Sequence, residues 1–388
     1  MKLCFVVPRY GEDIVGGAET LCRRVAEGLA ARGHAVSVFT TCAVDHTRME
    51  NALPPGRVLH NGVDLRRFAV DRPFADAPLA VKPRSQSDAG YEFDLLMREP
   101  HPTALYAELE REHASFDLIV PIPYPFAMSM YAAAIDYERM LLWPCLHDEA
   151  RAYLMAVQVL LRSVRGLLFN TEDEHMLMRR KLGIDHPRGY VVGCGVDDVR
   201  GDAARFRAVT GIGDPFLLYA GRLEAVKNVP HMLKAFAHYK TAHPGPLKLV
   251  LMGNGPVVSA HPDVIAIGFQ PEQAKHDAYA AALALCQPSL HESFSIVMME
   301  AWRAHKPVLV DRRCAVTRGH VVASGGGLAY REGDGFSDAV EALLRDPDAR
   351  ARMGDAGARY VAANYDWTVV LDRFEAAADA CRAVPEIL

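Results

Sequence analysis

With 388 residues, 50% hydrophobic and 23% charged, the chain exceeds one ordinary compact domain and suits two of about 200 residues each. A formal net charge of −5 gives no reason to expect nucleic acid as a partner, which calls for a strongly basic face. No apolar run approaches the roughly 20 residues that cross a bilayer.

The opening run Met1–Val7 meets Pro8, Arg9 and Gly11 at once. It fits a buried first strand better than a signal peptide, which needs a longer apolar core and a small-residue cleavage site. The eight cysteines are scattered with no C-x-x-C pair, which argues against a zinc site or a disulfide framework and suits a reducing cytoplasm.

Along the first half, Leu3–Val7, Ala35–Thr40, Phe116–Val120, Met140–Trp143, Leu167–Phe169 and Tyr190–Val192 read as strands covered on both faces, each nearly all apolar. Between the first two, Ala18–Arg32 has helical spacing, with Leu21, Val25 and Leu29 on one stripe, and stops at Gly33. The stretch 44–115 is richer in Pro, Arg and Asp and resists assignment; Asp71–Ser87 reads as loop or plain surface.

The pattern breaks in the glycine-rich stretch 193–213 and then restarts. Strands are expected at Phe216–Ala220, Leu247–Met252, Val264–Ile267, Leu283–Gln287 and Pro307–Val310, and helices at Pro230–Thr241, Pro271–Ala281 and Ser295–His305. Two helices follow from about residue 335 to 363. Then comes Tyr365-Asp366-Trp367 and a last helix that either caps the second domain or crosses back onto the first. Short strands alternating with helices give an α/β fold with parallel sheets. The expected division is 1–195, 196–364 and a terminal helix 365–388.

Four clusters at strand ends carry candidate chemistry, where α/β sheets bind ligands. His291-Glu292-Ser293-Phe294-Ser295 with Glu300 runs into a helix whose N-terminal N–H groups suit phosphate. Two carboxylates eight residues apart would span ~12 Å on a continuous helix, enough to hold the two sugars of a nucleotide sugar; two solvated acids on an amphipathic helix is the plain alternative. Gly221-Arg222 with Lys227-Asn228 offers a forked donor and a mobile point charge to one diphosphate. Gly253, in a glycine turn after the next strand, lets backbone approach a ligand. Gly16-Gly17-Ala18-Glu19 opens the first helix; it is not G-x-G-x-x-G, and the second strand ends in threonine rather than an acid, so a nicotinamide enzyme is rejected. His147, beside Asp148 and Glu149, follows a further strand.

In order and over nearly the whole chain, these segments resemble the retaining glycosyltransferases of family 4, which have the GT-B fold. The similar stretches are Gly16-Gly17-Ala18-Glu19, Arg32-Gly33-His34, His147-Asp148, Gly195-Val196-Asp197, Gly221-Arg222 with Lys227-Asn228, Glu292-Ser293-Phe294 with Glu300, and Gly326-Gly327-Leu328. The resemblance implies two Rossmann-like domains with parallel sheets facing a cleft, and a nucleotide-diphosphate sugar as co-substrate with no cofactor or metal. It gives Arg222 and Lys227 to the leaving diphosphate, Glu300 to the ribose, and Glu292 to the transferred sugar with Ser293, Phe294 and Ser295. The Gly16-Gly17 turn goes to the distal phosphate and acceptor, Gly221 and Gly253 to donor binding, and His147 to the donor sugar. Two positions depart from the family's glycines: Ser295, which would narrow the sugar pocket, and His305, a surface change.

The expected activity is retaining hexosyl transfer to a glycan or lipid-linked acceptor, in polysaccharide or O-antigen synthesis at the inner face of the membrane. A phosphorylase, an epimerase of the same fold and a non-catalytic nucleotide-sugar-binding protein are the rivals. Arg162, Arg165 and Arg179-Arg180-Lys181, beside Leu160, Leu161 and Met178, give either a peripheral, salt-sensitive contact with anionic lipid or an ordinary charged helix face.

Overall fold

The computed structural model describes all residues except 15, 73–80, 83–85, 332 and 384–388. Most of the excursion at 71–87 thus lies outside the described residues. The chain forms two units, Met1–Gly195 with Trp367–Leu388, and Val196–Asp366.

In the first unit, β1 (Lys2–Val7), β2 (Ala35–Thr41), β3 (Gly56–His60), β4 (Val63–Phe68) and β5 (Leu118–Pro121) form one sheet in the order β3-β4-β2-β1-β5. A second, parallel sheet joins β6 (Leu141–Leu142), β7 (Gly166–Phe169) and β8 (Gly189–Val191), and the bridge Ile119↔Met140 links β5 to its start. Pairing is parallel except for β3 with β4. That hairpin occupies part of the stretch the sequence left unassigned. Its outer strand β3 leaves Val58 and Leu59 exposed, so it carries none of the apolar run that marks a covered strand. The fourth expected strand shortens to two residues, and beyond it the Trp143 N–H donates to Pro121 O of β5 at 3.0 Å.

The second unit has one six-stranded sheet of β9 (Phe216–Ala220), β10 (Lys248–Met252), β11 (Val264–Gly268), β12 (Ala284–Gln287), β13 (Val308–Asp311) and β14 (Gly327–Tyr330). Its order is β11-β10-β9-β12-β13-β14, parallel throughout. The chain lays β10 and β11 to one side of β9, then returns to place β12 on the other. That reversal opens a crevice at the carboxyl ends of β9 and β12, the usual ligand position in such sheets. β14 was not anticipated: four residues starting on glycine give too short an apolar run to stand out.

The terminal helix Trp367–Ala383 belongs to the first unit. Phe374 is fully buried and stacks between Phe5 of β1, at 5.9 Å, and Trp143, at 6.0 Å. Leu371 fits against Gly28, where a Cβ would come within 2.7 Å of its Cδ1. Trp367 covers Gly195, where a Cβ would lie 2.2 Å from the indole. Arg32 pairs with Asp372 at 2.7 Å and Glu375 at 2.6 Å, and His34 meets Glu375 at 2.8 Å. Large apolar burial with matching small residues supplies the energy, and the charged rim fixes register.

Phe374→Ala is expected to cost about 3 to 5 kcal/mol of unfolding free energy by opening a cavity against Phe5 and Trp143. Urea titration followed by tryptophan fluorescence reads it; a loss below about 1 kcal/mol would show that this ring does not anchor the helix.

Candidate functional site

The crevice of the second unit is built from four turns. β9 ends in Gly221, whose φ of 146° favours glycine, and the Gly221 N–H donates to Met252 O at 2.9 Å. Gly253 follows β10 at φ 138°; a Cβ there would lie 1.9 Å from Gly221 O, so the two glycine backbones pack directly on each other. Leu223 N–H donates to Asn254 O at 2.9 Å and Val257 N–H to Leu223 O at 3.0 Å, tying the two turns together. Leu223, Leu251, Asn254, Val257, Val264 and Gly268 help to line a cavity of about 530 Å³ beside them.

Lys227 and Glu292 are brought together from opposite sides of this crevice. Lys227 closes a short helical turn, and Asn228 stands at φ 59° with its amide donating to Pro288 O at 3.0 Å. That bond ties the end of the β9 turn to the end of β12. The Lys227 ammonium then reaches Glu292 Oε1 at 2.8 Å, with both side chains largely buried. Arg222 lies close by but is half-exposed and pairs with Glu224 at 2.9 Å. Tyr219 donates its hydroxyl to Arg222 O at 2.7 Å. Burial pushes this phenol up, the charge of Glu292 adds to it and Arg222 opposes it.

Glu292 and Glu300 do not share a helix. The helix covers only Ile296–Arg303, and 288–295 form a loop. Ser295 at φ 76° breaks the helical path, the left-handed region that glycine usually fills. Its hydroxyl is buried and accepts from Gln287 Nε2 at 2.8 Å, so the side chain turns onto β12. Phe294 is buried edge-on to His320, at 5.4 Å, and to Tyr365, at 4.8 Å. Burial pulls His320 down to about 3, against a backbone bond at Phe294, so this imidazole is neutral. Ser293 is buried in the same loop. His305 is also left-handed, at φ 57°, and exposed, with Nδ1 2.6 Å from Asp355.

Glu300 faces a different set of partners. Lys275 Nζ lies 2.6 Å from Oε1, and the Tyr279 hydroxyl donates to Oε2 at 2.8 Å. Lys275 also reaches Glu272 at 3.0 Å, and His276 Nε2 lies 3.0 Å from the same carboxylate. Burial alone would lower the Lys275 pKa, but Glu300 and Glu272 more than reverse it, leaving the ammonium above its ordinary value. Ligand atoms of Glu272, His276 and Glu300 lie within 4.8 Å of one another. The Lys275 ammonium already bonds to both carboxylates and supplies the counter-charge of this group. Neither Lys275 nor Tyr279 stood out in the sequence, where they read as one face of an ordinary helix.

In the first unit, Gly16 precedes the helix Gly17–Ala31 at the carboxyl end of β1. A Cβ on Gly16 would lie 2.1 Å from Glu19 Oε2, and Glu19 forms a buried ion pair with Arg9. A side chain at Gly16 would have to push the Glu19 carboxylate away from its place beside Arg9. His147 follows β6 in a loop where Cys145 stands at φ 53°; its Nδ1 is 3.9 Å from Glu149, and Glu149 accepts from Tyr124 at 2.5 Å. Behind this loop Glu174 is fully buried. It accepts from Leu146 N–H and, at 2.6 Å, from Asn170 N–H. Burial pushes its acid up to about 8, although the backbone donors at Leu146, Asn170 and Thr171 favour the anion.

Two family models match the chain: Glycosyltransferase Family 4 over residues 15–200 and Glycosyl transferases group 1 over 202–360. A D-inositol 3-phosphate glycosyltransferase of Nocardia farcinica is 26% identical, over 92% of this chain and 83% of that protein. One from Frankia alni is 31% identical over 55% of this chain and 58% of its own. Among solved structures, sucrose-phosphate synthase from Thermosynechococcus elongatus superposes with a TM-score of 0.73 at 18% identity, over 98% of this chain and 99% of the other. Anabaena HepE in complex with UDP-glucose gives 0.71 at 16%, over 98% and 100%. These neighbours share the GT-B arrangement of two α/β domains with parallel sheets.

An acid held at about 8 in the folded state and near 4.5 when unfolded keeps its proton on folding through that range. The folded chain thus binds more protons there, and stability falls as pH rises from about 4.5 to about 8. Urea titrations across this range should show wild type losing more stability than Glu174→Gln. Parallel curves would contradict the assignment of this titration to Glu174.

Proposed function

The chain belongs to the glycosyltransferases of family 4 type, and from that premise we propose that it transfers a hexose, with retention of anomeric configuration, from a UDP-sugar to a hydroxyl of a glycan or lipid-linked acceptor. The observation that carries this reading is the Lys227–Glu292 pair, 2.8 Å apart at the carboxyl ends of β9 and β12. One cation for a departing diphosphate stands there beside one carboxylate for sugar hydroxyls. Arg222, on the same turn, is assigned as a second, forked donor.

The donor is assigned to the second unit. The cavity at Leu223, Leu251, Val257 and Val264 takes the flat base, with apolar walls and backbone groups at its rim. Glu300 takes the ribose hydroxyls. Each of its oxygens accepts one hydrogen bond from the protein and keeps a second acceptor site for the diol. Uridine is favoured because solved neighbours are described in complex with UDP and UDP-glucose. His147 and the Gly16–Gly17 turn are assigned to the transferred sugar and to the acceptor side of the reaction.

Retention follows most simply from front-face attack. Lys227 and Arg222 take up charge as the bond from the anomeric carbon to the diphosphate lengthens. A phosphate oxygen of the leaving group accepts the acceptor hydroxyl's proton, and that hydroxyl oxygen bonds to the same face. Glu292 is already bonded to Lys227 and acts by holding the sugar, so no covalent glycosyl-enzyme forms on it. The positive side chains supply the stabilisation that a divalent metal gives elsewhere. An acceptor carried on lipid suits a peripheral enzyme of polysaccharide or O-antigen synthesis at the inner face of the membrane.

Two experiments test this. Among UDP, GDP, dTDP and ADP, UDP is expected to stabilise the protein most, by about 2.7 kcal/mol at 100 times its dissociation constant; no preference among the four would remove the base assignment. With UDP-glucose and water as acceptor, the first sugar released is expected to be the α-anomer by NMR. Lys227→Ala should slow UDP release by about 10²- to 10³-fold, and unchanged turnover would overturn the site.

A further inference from the structure

Glu174 is the most deeply buried carboxylate of the first unit, with no exposed surface, and nothing in the proposed reaction uses it. Its neighbours come from three places in the chain. Leu146 N–H, from the loop after β6, donates to Oε1, and Asn170 N–H, just past β7, donates to Oε2 at 2.6 Å. Its own backbone N–H donates to the Thr171 hydroxyl at 3.0 Å, which caps the helix Glu172–Leu177. One carboxylate therefore joins the ends of two neighbouring strands to a helix start.

The same loop is held a second time through Asn170. Its Oδ1 accepts from Trp143 Nε1 at 3.0 Å, and its Nδ2 lies 3.6 Å from Cys145 Sγ. These bonds matter because the loop is costly to form. Cys145, with a side chain, stands at φ 53°, the left-handed region that only glycine enters freely. Such a conformation persists only where its surroundings over-determine it. Leu146 N–H is the next donor after Cys145, and His147 is the next side chain. Removing that acceptor would leave a buried N–H unpaired and release the turn.

We propose that Glu174 is the positioning residue of His147: its buried carboxylate pins the Leu146 N–H and so fixes the turn from which the imidazole projects. This rests on the assignment of His147 to the donor sugar made above. Glu174 never touches the reacting atoms. Its effect passes through one hydrogen bond to Leu146 N and then along the backbone to the histidine's Cα, and a displacement of about 1 Å at a reacting group can cost on the order of 100-fold in rate.

The test is a double-mutant cycle with UDP release from UDP-glucose as the assay. Glu174→Gln keeps the shape but turns an amide NH2 toward one of its backbone donors. It is expected to lower kcat by about 10- to 100-fold with KM for UDP-glucose within about twofold. On a His147→Ala background it should lower kcat no further, since the group it positions is gone. Where Glu174→Gln yields no folded protein, Glu174→Asp enters the same cycle, keeping the carboxyl group but withdrawing it by one methylene. Multiplying losses would overturn the proposal, because a general weakening of the fold acts on either background alike. So would a rise in KM at unchanged kcat. If His147→Ala alone leaves kcat unchanged, the earlier assignment of His147 fails by itself, and this proposal falls with it.

Discussion

The candidate site depends on one ion pair between segments 65 residues apart, Lys227 with Glu292. Nothing local in either segment makes them meet. They meet because β12 pairs with β9 after the chain has completed β10 and β11 on the other side. Both turns then rise from adjacent strand ends, and Asn228 bonds to Pro288 O to hold them level. A largely buried pair of opposite charges contributes little net stability, since desolvation offsets most of the attraction. Its consequence is placement: a cation is kept at the crevice in a charged, partly dehydrated state, available to a ligand with more negative charge than one carboxylate. The Gly221 and Gly253 backbones, in direct contact, leave that crevice open.

The first unit depends on a different constraint, since its last helix arrives from beyond the second unit in sequence. Phe374 between Phe5 and Trp143 supplies the apolar burial, and Gly28 and Gly195 supply the hollows that let Leu371 and Trp367 close in. Arg32 and His34 then pair with Asp372 and Glu375. Trp143 belongs to two structures at once. Its ring packs on the returning helix, and its Nε1–H supports Asn170 behind the His147 loop. Core packing and loop geometry in this unit share a residue.

Much of the fold was legible because buried parallel strands announce themselves as short apolar runs, as Leu3–Val7 and Phe216–Ala220 do. The β3–β4 hairpin was not, since an edge strand with exposed Val58 and Leu59 has no such run. β14 was too short to register. Of the site, motif order named Lys227 and Glu292 as candidates, and the strand order accounts for their meeting. A continuous helix carrying both glutamates does not form, because Ser295 at φ 76° interrupts the path ahead of the helix Ile296–Arg303. Lys275, Tyr279 and Glu174 were invisible for a common reason. Each acts across the tertiary structure, and in sequence each is one polar residue on an amphipathic helix. No local rule distinguishes a carboxylate facing water from one that three backbone donors enclose.

The central claim is that Lys227 is kept at the β9–β12 crevice to receive a diphosphate. The most direct measurement is calorimetric titration of UDP and of uridine into wild type and Lys227→Ala. Loss of the ammonium should weaken UDP binding by about tenfold or more, in line with a charge-assisted contact of about 1.5 to 3 kcal/mol, and leave uridine binding within about twofold. Equal UDP affinity in both proteins would contradict it.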